Sequence, residues 1–164
     1  SLVDCYIAIQ EGQQYTVSRI EFHGDVIVDA TNNLDHIRQE LIGQPYFNRK
    51  KILLQTQVLE VYGNHGYPDA AVDVKRQTTK NPEKVVLDVS IKSGPLINIS
   101  AIEIHGNQRT RTSFIQNRIR LDPGDRYDLS LQRESFRNLY KTGIFSKVDC
   151  ELKKPIHPKT GYWL

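Results

Sequence analysis

Apolar residues along this chain change their period several times, and each change marks an element. Val17, Ile20 and Phe22 read as a short strand that stops at Gly24. Leu34, Ile37 and Leu41 then recur at helical spacing, and Gly43 supplies a left-handed stop. A second helix is predicted from an N-cap at Asn48, with Ile52, Leu59 and Tyr62 on its inner face and Gly63 near its end. Residues 70–77 read as a strand and residues 78–83, with Asn81-Pro82, as a loop. Val85, Leu87, Val89 and Ile91 alternate as a half-buried strand, broken by Ser93-Gly94-Pro95.

The same order then returns. Ile97, Ile99, Ile102 and Ile104 give a strand, and Thr110 is the expected cap of a helix carrying Phe114, Ile115 and Ile119. Asp128 is the expected cap of a second helix with Leu131, Leu139 and Tyr140 inward. Residues 147–153 read as a strand, residues 154–161 as a loop, and Trp163-Leu164 as the opening of a last strand. The repeat is direct: Val17–Gly24 returns as Ile99–Gly106 at an offset of 82, and Gly43-Gln44-Pro45-Tyr46 as Gly124-Asp125-Arg126-Tyr127 at an offset of 81. Tyr62 with Gly66-Tyr67 aligns with Tyr140 and Gly143-Ile144-Phe145 at about 77, so the first copy holds roughly one extra helical turn. Residues 2–10 also alternate, and Glu11-Gly12 precedes the first unit as Ser93-Gly94 precedes the second. The expected architecture is α+β: two tandem β-α-α-β-β units, each a three-stranded sheet covered on one face by two helices. The boundaries read as 1–12 (last strand of a preceding unit), 13–94 (a complete unit) and 95–164 (a unit lacking most of its last strand).

Composition narrows the class. Of 164 residues, 38% are hydrophobic and 25% charged, with no apolar run near the ~20 residues of a membrane helix. No stretch has the form of a secretory leader, so the expectation is a cytosolic chain or a mature or excised segment. Two cysteines exclude a disulfide-stapled mini-fold and a cysteine-based zinc cage. The net charge of +3 divides unevenly: residues 1–94 hold 10 basic and 12 acidic side chains, residues 95–164 hold 12 and 7. The basic half clusters Arg109, Arg111, Arg118, Arg120, Arg126, Arg133 and Arg137. The cluster reads either as a solvated helical surface or as a face for anionic lipid or another acidic partner.

The ordered set of motifs resembles the polypeptide-transport-associated (POTRA) family. The resemblance rests on Ile20 to Gly24, Gly43 to Tyr46 and Tyr62 to Val74, then on Ile102 to Asn107, Gly124 to Tyr127 and Leu139 to Val148. Lys141-Thr142-Gly143-Ile144-Phe145-Ser146-Lys147-Val148 is the most family-like stretch. Arrays of such domains precede the β-barrel in outer-membrane assembly factors of the BamA and TamA type, in two-partner-secretion transporters and in chloroplast-envelope channels. The resemblance implies a periplasmic location and a part in binding unfolded outer-membrane or secreted polypeptides and accessory assembly proteins. It implies recognition by strand addition at a sheet edge; the alternatives are a passive orienting spacer, or an anionic-lipid or RNA surface-binding module using the arginine-rich second unit. No cofactor and no nucleic-acid partner are expected.

Candidate residues follow. The expected client edge comprises Ala71, Val72, Asp73, Val74 and Lys75 in the first unit and Lys147, Val148, Asp149 and Glu151 in the second. Lys75-Arg76 and Lys153-Lys154 read equally as charges guarding those edges against aggregation. Arg109, Arg111, Arg118, Arg120 and Arg126 are the candidate anionic-surface residues, and Ser93, Gly94 and Pro95 the expected inter-unit hinge. The aromatics Tyr62, Phe136, Tyr140 and Phe145 are expected in the core rather than on a base-stacking face.

Enzyme readings find no support. Lys141-Thr142-Gly143 imitates one box of penicillin-recognising enzymes, but no Ser-x-x-Lys supplies a nucleophile, and there is no Gly-x-Ser-x-Gly and no phosphate loop. His36 and Glu40 lie four apart on a helix without a further ligand nearby, and His23 and His105 share one structural position in the repeat. Cys5 and Cys150 fall on different units, so no intrachain bridge is expected. They approach only if the leading strand of one molecule fills the second unit of another.

Overall fold

The computed structural model describes residues 3–153 and the backbone of residues 162–163. Along the chain run β1 (Tyr15–Gly24), a 3-10 turn (Val28–Ala30), α1 (Thr31–Leu41), β2 (Pro45–Tyr46), α2 (Asn48–Asn64), β3 (Ala71–Thr78) and β4 (Lys84–Lys92). The second half holds β5 (Ile99–Ala101), α3 (Thr112–Gln116), α4 (Leu129–Tyr140) and β6 (Tyr162–Trp163). Residues 3–14, expected to begin with a strand, have no regular structure. Val3, Tyr6, Ile7 and Ile9 are exposed there.

The first unit is organised by β4. It inserts between β1, to which it runs parallel, and β3, to which it runs antiparallel, giving the sheet order β2-β1-β4-β3. Val85, Leu87, Val89 and Ile91 point one way from this doubly paired strand, as their alternation predicts. They meet Val17 and Ile20 of β1, Val72 and Val74 of β3, Leu34 and Ile37 of α1, and Leu54, Val58, Val61 and Tyr62 of α2 in one core. Truncating any of its large members costs about 2–5 kcal/mol, because close-packed surroundings leave a cavity behind. The other face of the sheet is polar, with His23 placed between Glu21 and Asp88 at 3.7 and 3.5 Å.

Three expectations change in this unit. The sheet has a fourth, two-residue strand, β2, paired antiparallel to the start of β1. The N-cap of α2 is Phe47, not Asn48, and no side chain bonds the cap. Ile52 is exposed, and the inner face of α2 is instead Leu54, Val58, Val61 and Tyr62, whose i, i+4, i+7 and i+8 spacing follows one helical stripe.

The repeat is visible bond by bond. In the first unit Val17 donates to the Gln44 carbonyl and accepts from Gly43; in the second Ile99 donates to the Asp125 carbonyl and accepts from Gly124. The register slips at the same place, between Val17 and Arg19 against β4 and between Ile99 and Ala101 against β6. Gln55 of α2 donates to the Val72 carbonyl, and Gln132 of α4 to the Cys150 carbonyl.

The second unit departs from its sequence reading in several places. Asp128 caps α4 as expected, accepting from Ser130 N at 2.7 Å and Leu131 N at 3.2 Å. Helix α3, however, starts after Arg111 rather than at a Thr110 cap. Tyr140 is 61% exposed and stacks on Phe136, itself 37% exposed, while Leu139 is buried. Leu139 therefore fills the place of Tyr62, and the aromatics on α4 lie outside the core. Residues 102–105 and 147–152, expected in strands, join no ladder among the described residues. The expected loop over 154–161 lies outside the described residues.

Gly24 tests the packing of β1 on β4. It has φ +88, and a Cβ there would lie 2.2 Å from the Ile91 carbonyl oxygen. Its counterpart Gly106 has φ +83 with nothing within 4 Å. Gly106→Ala is expected to cost about 1–2 kcal/mol from backbone strain alone. Gly24→Ala is expected to cost more, by a margin that urea unfolding of the two variants measures.

Candidate functional site

Strand β3 lies at the edge of the first sheet and has no strand on its outer side among the described residues. Val72 and Val74 face the core, while Ala71, Asp73 and Lys75 are exposed. An edge strand presents alternate backbone donors and acceptors that a further extended chain can pair with. The edge is partly managed. Gln55 takes the Val72 carbonyl at 2.7 Å, and Asp73 and Lys75 pair at 3.6 Å across exposed surface. Arg76, read from sequence as an edge charge, instead lays its guanidinium over the rings of Tyr15 (4.2 Å) and Tyr46 (5.4 Å) at the end of the core.

The second expected edge has a different form. Lys147, Val148, Asp149 and Glu151 line one wall of a groove of about 290 Å³ whose opposite wall is residues 102–107. Its floor is apolar, from Ile115, Ile119, Leu121 and Leu139. Lys147 pairs with Asp149 at 2.7 Å. Half-buried Cys150 has its thiol pKa pushed up, first by burial and then by the Asp149 carboxylate.

The arginines do not form one surface. Arg118 lies over the Phe114 ring at 3.5 Å and donates to the Phe114 carbonyl. Arg120 pairs with Glu134 at 2.9 Å, and Arg126 reaches across to Asp29 of the first unit at 3.1 Å. Arg133 likewise pairs with Glu60 of α2. Arg109 and Arg111 are exposed and have no ion-pair partner among the described residues.

Two of those pairs belong to the joint between units, which is pinned from several sides. Ser93 N donates to Asp25 at 3.1 Å, and Gly94 packs against Asp69. Ile97 N donates to the Gly66 carbonyl at 2.8 Å, and Tyr127 N to the Ile97 carbonyl at 2.9 Å. Gly66 has φ +89, and the side chains of Arg126 and Leu96 lie where its Cβ would be. Helix α4 begins with Leu129 against Gly63 of α2. Ser93, Gly94 and Pro95 thus lead into a braced contact, formed by charge pairs and helix packing that no local motif announces.

Among the described residues no group of three or more His, Cys, Asp or Glu side chains is placed to hold a metal ion. His36 and Glu40 face each other at 3.7 Å on α1. His105 lies 3.1 Å from Glu103, as His23 lies near Glu21, so the repeated histidines share a repeated acidic neighbour. No described helix is long and apolar enough to cross a membrane.

The first unit sets two helices against a four-stranded sheet, and the second repeats its first strand and its two helices across a braced contact. Residues 97–160 match the POTRA family model, described as "Surface antigen variable number repeat". The chain is 29% identical over 155 residues to the outer membrane protein assembly factor BamA of Nitratidesulfovibrio vulgaris, covering 88% of this chain and 19% of that protein. It thus spans about a fifth of the length of the curated relatives it matches. The fold matches BamA from Haemophilus ducreyi lacking POTRA domains 1-3, with TM-score 0.77 and 20% identity over 91% of this chain and 29% of that one. It also matches Haemophilus influenzae BamA POTRA3-5, with TM-score 0.68 and 16% identity over 93% and 61% of the two chains. The second unit thus matches the POTRA model, and the chain as a whole is similar in sequence to BamA-type outer membrane protein assembly factors and in fold to their POTRA domains.

Tyr127, buried where α4 meets β5, gives the second unit an alkaline signature. Burial pushes its phenol up to about 12, with Arg133 opposing and Asp128 adding to the rise. Its unfolded value is ~10, so the folded state holds this proton where the unfolded state releases it. That contribution to stability is complete below pH ~10 and is lost as pH rises toward the folded value. Burial raises Tyr62 in the same direction. Tyr127→Phe is therefore expected to reduce, without abolishing, the alkaline fall in stability, as followed by urea unfolding across that pH range.

Proposed function

We infer that the segment is a periplasmic binding and scaffolding part of an outer-membrane protein assembly factor, engaging extended polypeptides through the outer edge of β3. The observation that supports this most is the one-sided pairing of β3, whose Ala71, Asp73 and Lys75 side chains leave the backbone edge accessible. Recognition through the main chain tolerates many client sequences, because every residue but proline offers the same donor and acceptor. Accessory assembly proteins could dock by the same means. The partners include unfolded outer-membrane or secreted polypeptides, and attachment to a β-barrel in the parent would place the edge where such chains emerge.

The braced joint favours a second contribution, orientation of neighbouring domains, since the ion pairs Arg126–Asp29 and Arg133–Glu60 tie α4 to the first unit. An anionic-lipid or RNA surface has less support, because Arg118, Arg120 and Arg126 are each occupied within the fold.

Titration with an extended, alternating apolar peptide, followed by amide NMR, tests the edge reading. Shifts are expected over residues 71–75, with an affinity that changes little as salt is raised. Shifts confined to Arg109, Arg111 and Arg137, with binding that collapses in salt, would replace it with the anionic-surface reading. No shift at all would leave only the orienting role.

A further inference from the structure

Which backbone groups of β3 face outward follows from its neighbour β4. The Ile91 carbonyl accepts from Asp25 N at 3.0 Å, and the Val85 carbonyl from the Ser18 hydroxyl at 2.9 Å, both on the β1 side. Backbone groups alternate in direction along a strand, so Val85, Leu87, Val89 and Ile91 all turn their N–H and C=O toward β1. Their partners across the β3–β4 ladder are Thr78, Arg76, Val74 and Val72. These are therefore the non-hydrogen-bonded pairs of the ladder, and the four β3 residues direct their N–H and C=O away from the sheet.

At Val72 the outward acceptor is already taken. Gln55 reaches round from α2, and its Nε2 donates to the Val72 carbonyl at 2.7 Å. The bond supplies the donor that a further strand would supply, and it leaves the Val72 N–H unanswered. Among the described residues no other side chain bonds the backbone of residues 71–78.

The copy of this contact in the second unit is built differently. Gln132 donates to the Cys150 carbonyl at 2.8 Å, and its Oε1 accepts from the Tyr127 hydroxyl, so both ends of the carboxamide are held. Tyr46 stands where Tyr127 does in the repeat, but the Arg76 guanidinium lies over its ring at 5.4 Å and its hydroxyl makes no bond to Gln55. Gln55 is tied to the edge by one atom, from a half-buried position on the flank of α2. A chain added antiparallel to β3 would give Val72 both a donor and an acceptor, where Gln55 gives a donor alone. The exchange gains a bond and returns rotamer freedom to the glutamine, so the carboxamide holds its place against water and yields to a strand.

We propose that Gln55 is a releasable cap on the β3 edge: its carboxamide fills the Val72 acceptor in the free protein and is displaced when an extended chain pairs with Val72 and Val74. The cap has this role only if the edge takes an added strand, as proposed above. It subtracts the worth of one hydrogen bond from every client alike. The edge is thereby kept for chains that stay extended over at least two paired residues, and is closed at one end while no such chain is present.

The test titrates the whole chain, unmodified and as Gln55→Met, with a lysine-flanked peptide of nine alternating Val and Thr residues. Amide NMR follows the backbone and the Gln55 side-chain NH2. Methionine keeps the length of glutamine and removes the donor, and the NH2 readout needs no substitution at all. In the unmodified chain the Gln55 NH2 signals are expected to move from a hydrogen-bonded to a water-exposed position in step with the amides of residues 71–75. Gln55→Met is expected to bind about two- to ten-fold more tightly, the range that one net hydrogen bond commands. Binding by Gln55→Met alone, with none by the unmodified chain, is the same result in its extreme form. Shifts at residues 71–75 with an unmoved Gln55 NH2, or with equal affinities, would overturn the cap and leave the edge reading intact. So would weaker binding by Gln55→Met, since Gln55 would then hold the client instead of excluding it. Absence of shifts at residues 71–75 in both proteins would overturn the edge reading, and the cap with it.

Discussion

The parallel pairing of β4 with β1 is the constraint on which the first unit depends. It joins residues as far apart in sequence as Thr16 and Lys84, and it places β4, paired along its whole length on both sides, at the centre of the core. Helices α1 and α2 cover one face of that centre because Val85, Leu87, Val89 and Ile91 present a continuous apolar strip to them. Strand β3 is an edge because β4, not β3, lies next to β1. Edge, core and polar outer face therefore follow from one insertion.

The joint depends on the same geometry. The end of β4 is fixed beside Gly24, and the chain passes from there through Gly94 to Ile97, which bonds Gly66 at the end of the first unit's helical layer. Arg126 and Arg133 then reach back to Asp29 and Glu60. Each pair is solvent-exposed and worth at most about 1 kcal/mol, so the packing of Leu129 on Gly63 and the short connection contribute rigidity that the charges only refine.

Much of this was legible where periodicity is strong. Val85 to Ile91 alternates over a full strand, and the repeat displays the topology twice. The features that periodicity does not carry are local or distant. Strand β2 is only Pro45-Tyr46, too short for any period. Ile52-Leu53-Leu54 offers three adjacent apolar residues, and only packing selects Leu54 as the buried one. Residue type pairs Tyr62 with Tyr140, yet the glutamines and glycines of the repeat place it against Leu139, one residue and about 100° of helix away. The arginine cluster misled because its partners are far along the chain: Asp29 is 97 residues from Arg126. The candidate edge at β3 is readable from topology, since a strand that follows the second helix and turns back into β4 is left at the sheet's margin.

The slip in register near Ser18, repeated near Ser100, has a consequence for the order of folding. Ser18 turns its hydroxyl onto the Val85 carbonyl at 2.9 Å, marking where β4 first docks. Closing that contact requires a loop of more than sixty residues, so it is costly in chain entropy and slow compared with forming the helices. A chain that emerges amino end first has both helices and the β3 edge available before its closing strand arrives. During that interval each unit is an open template, and the bulge sets the single alignment in which it shuts.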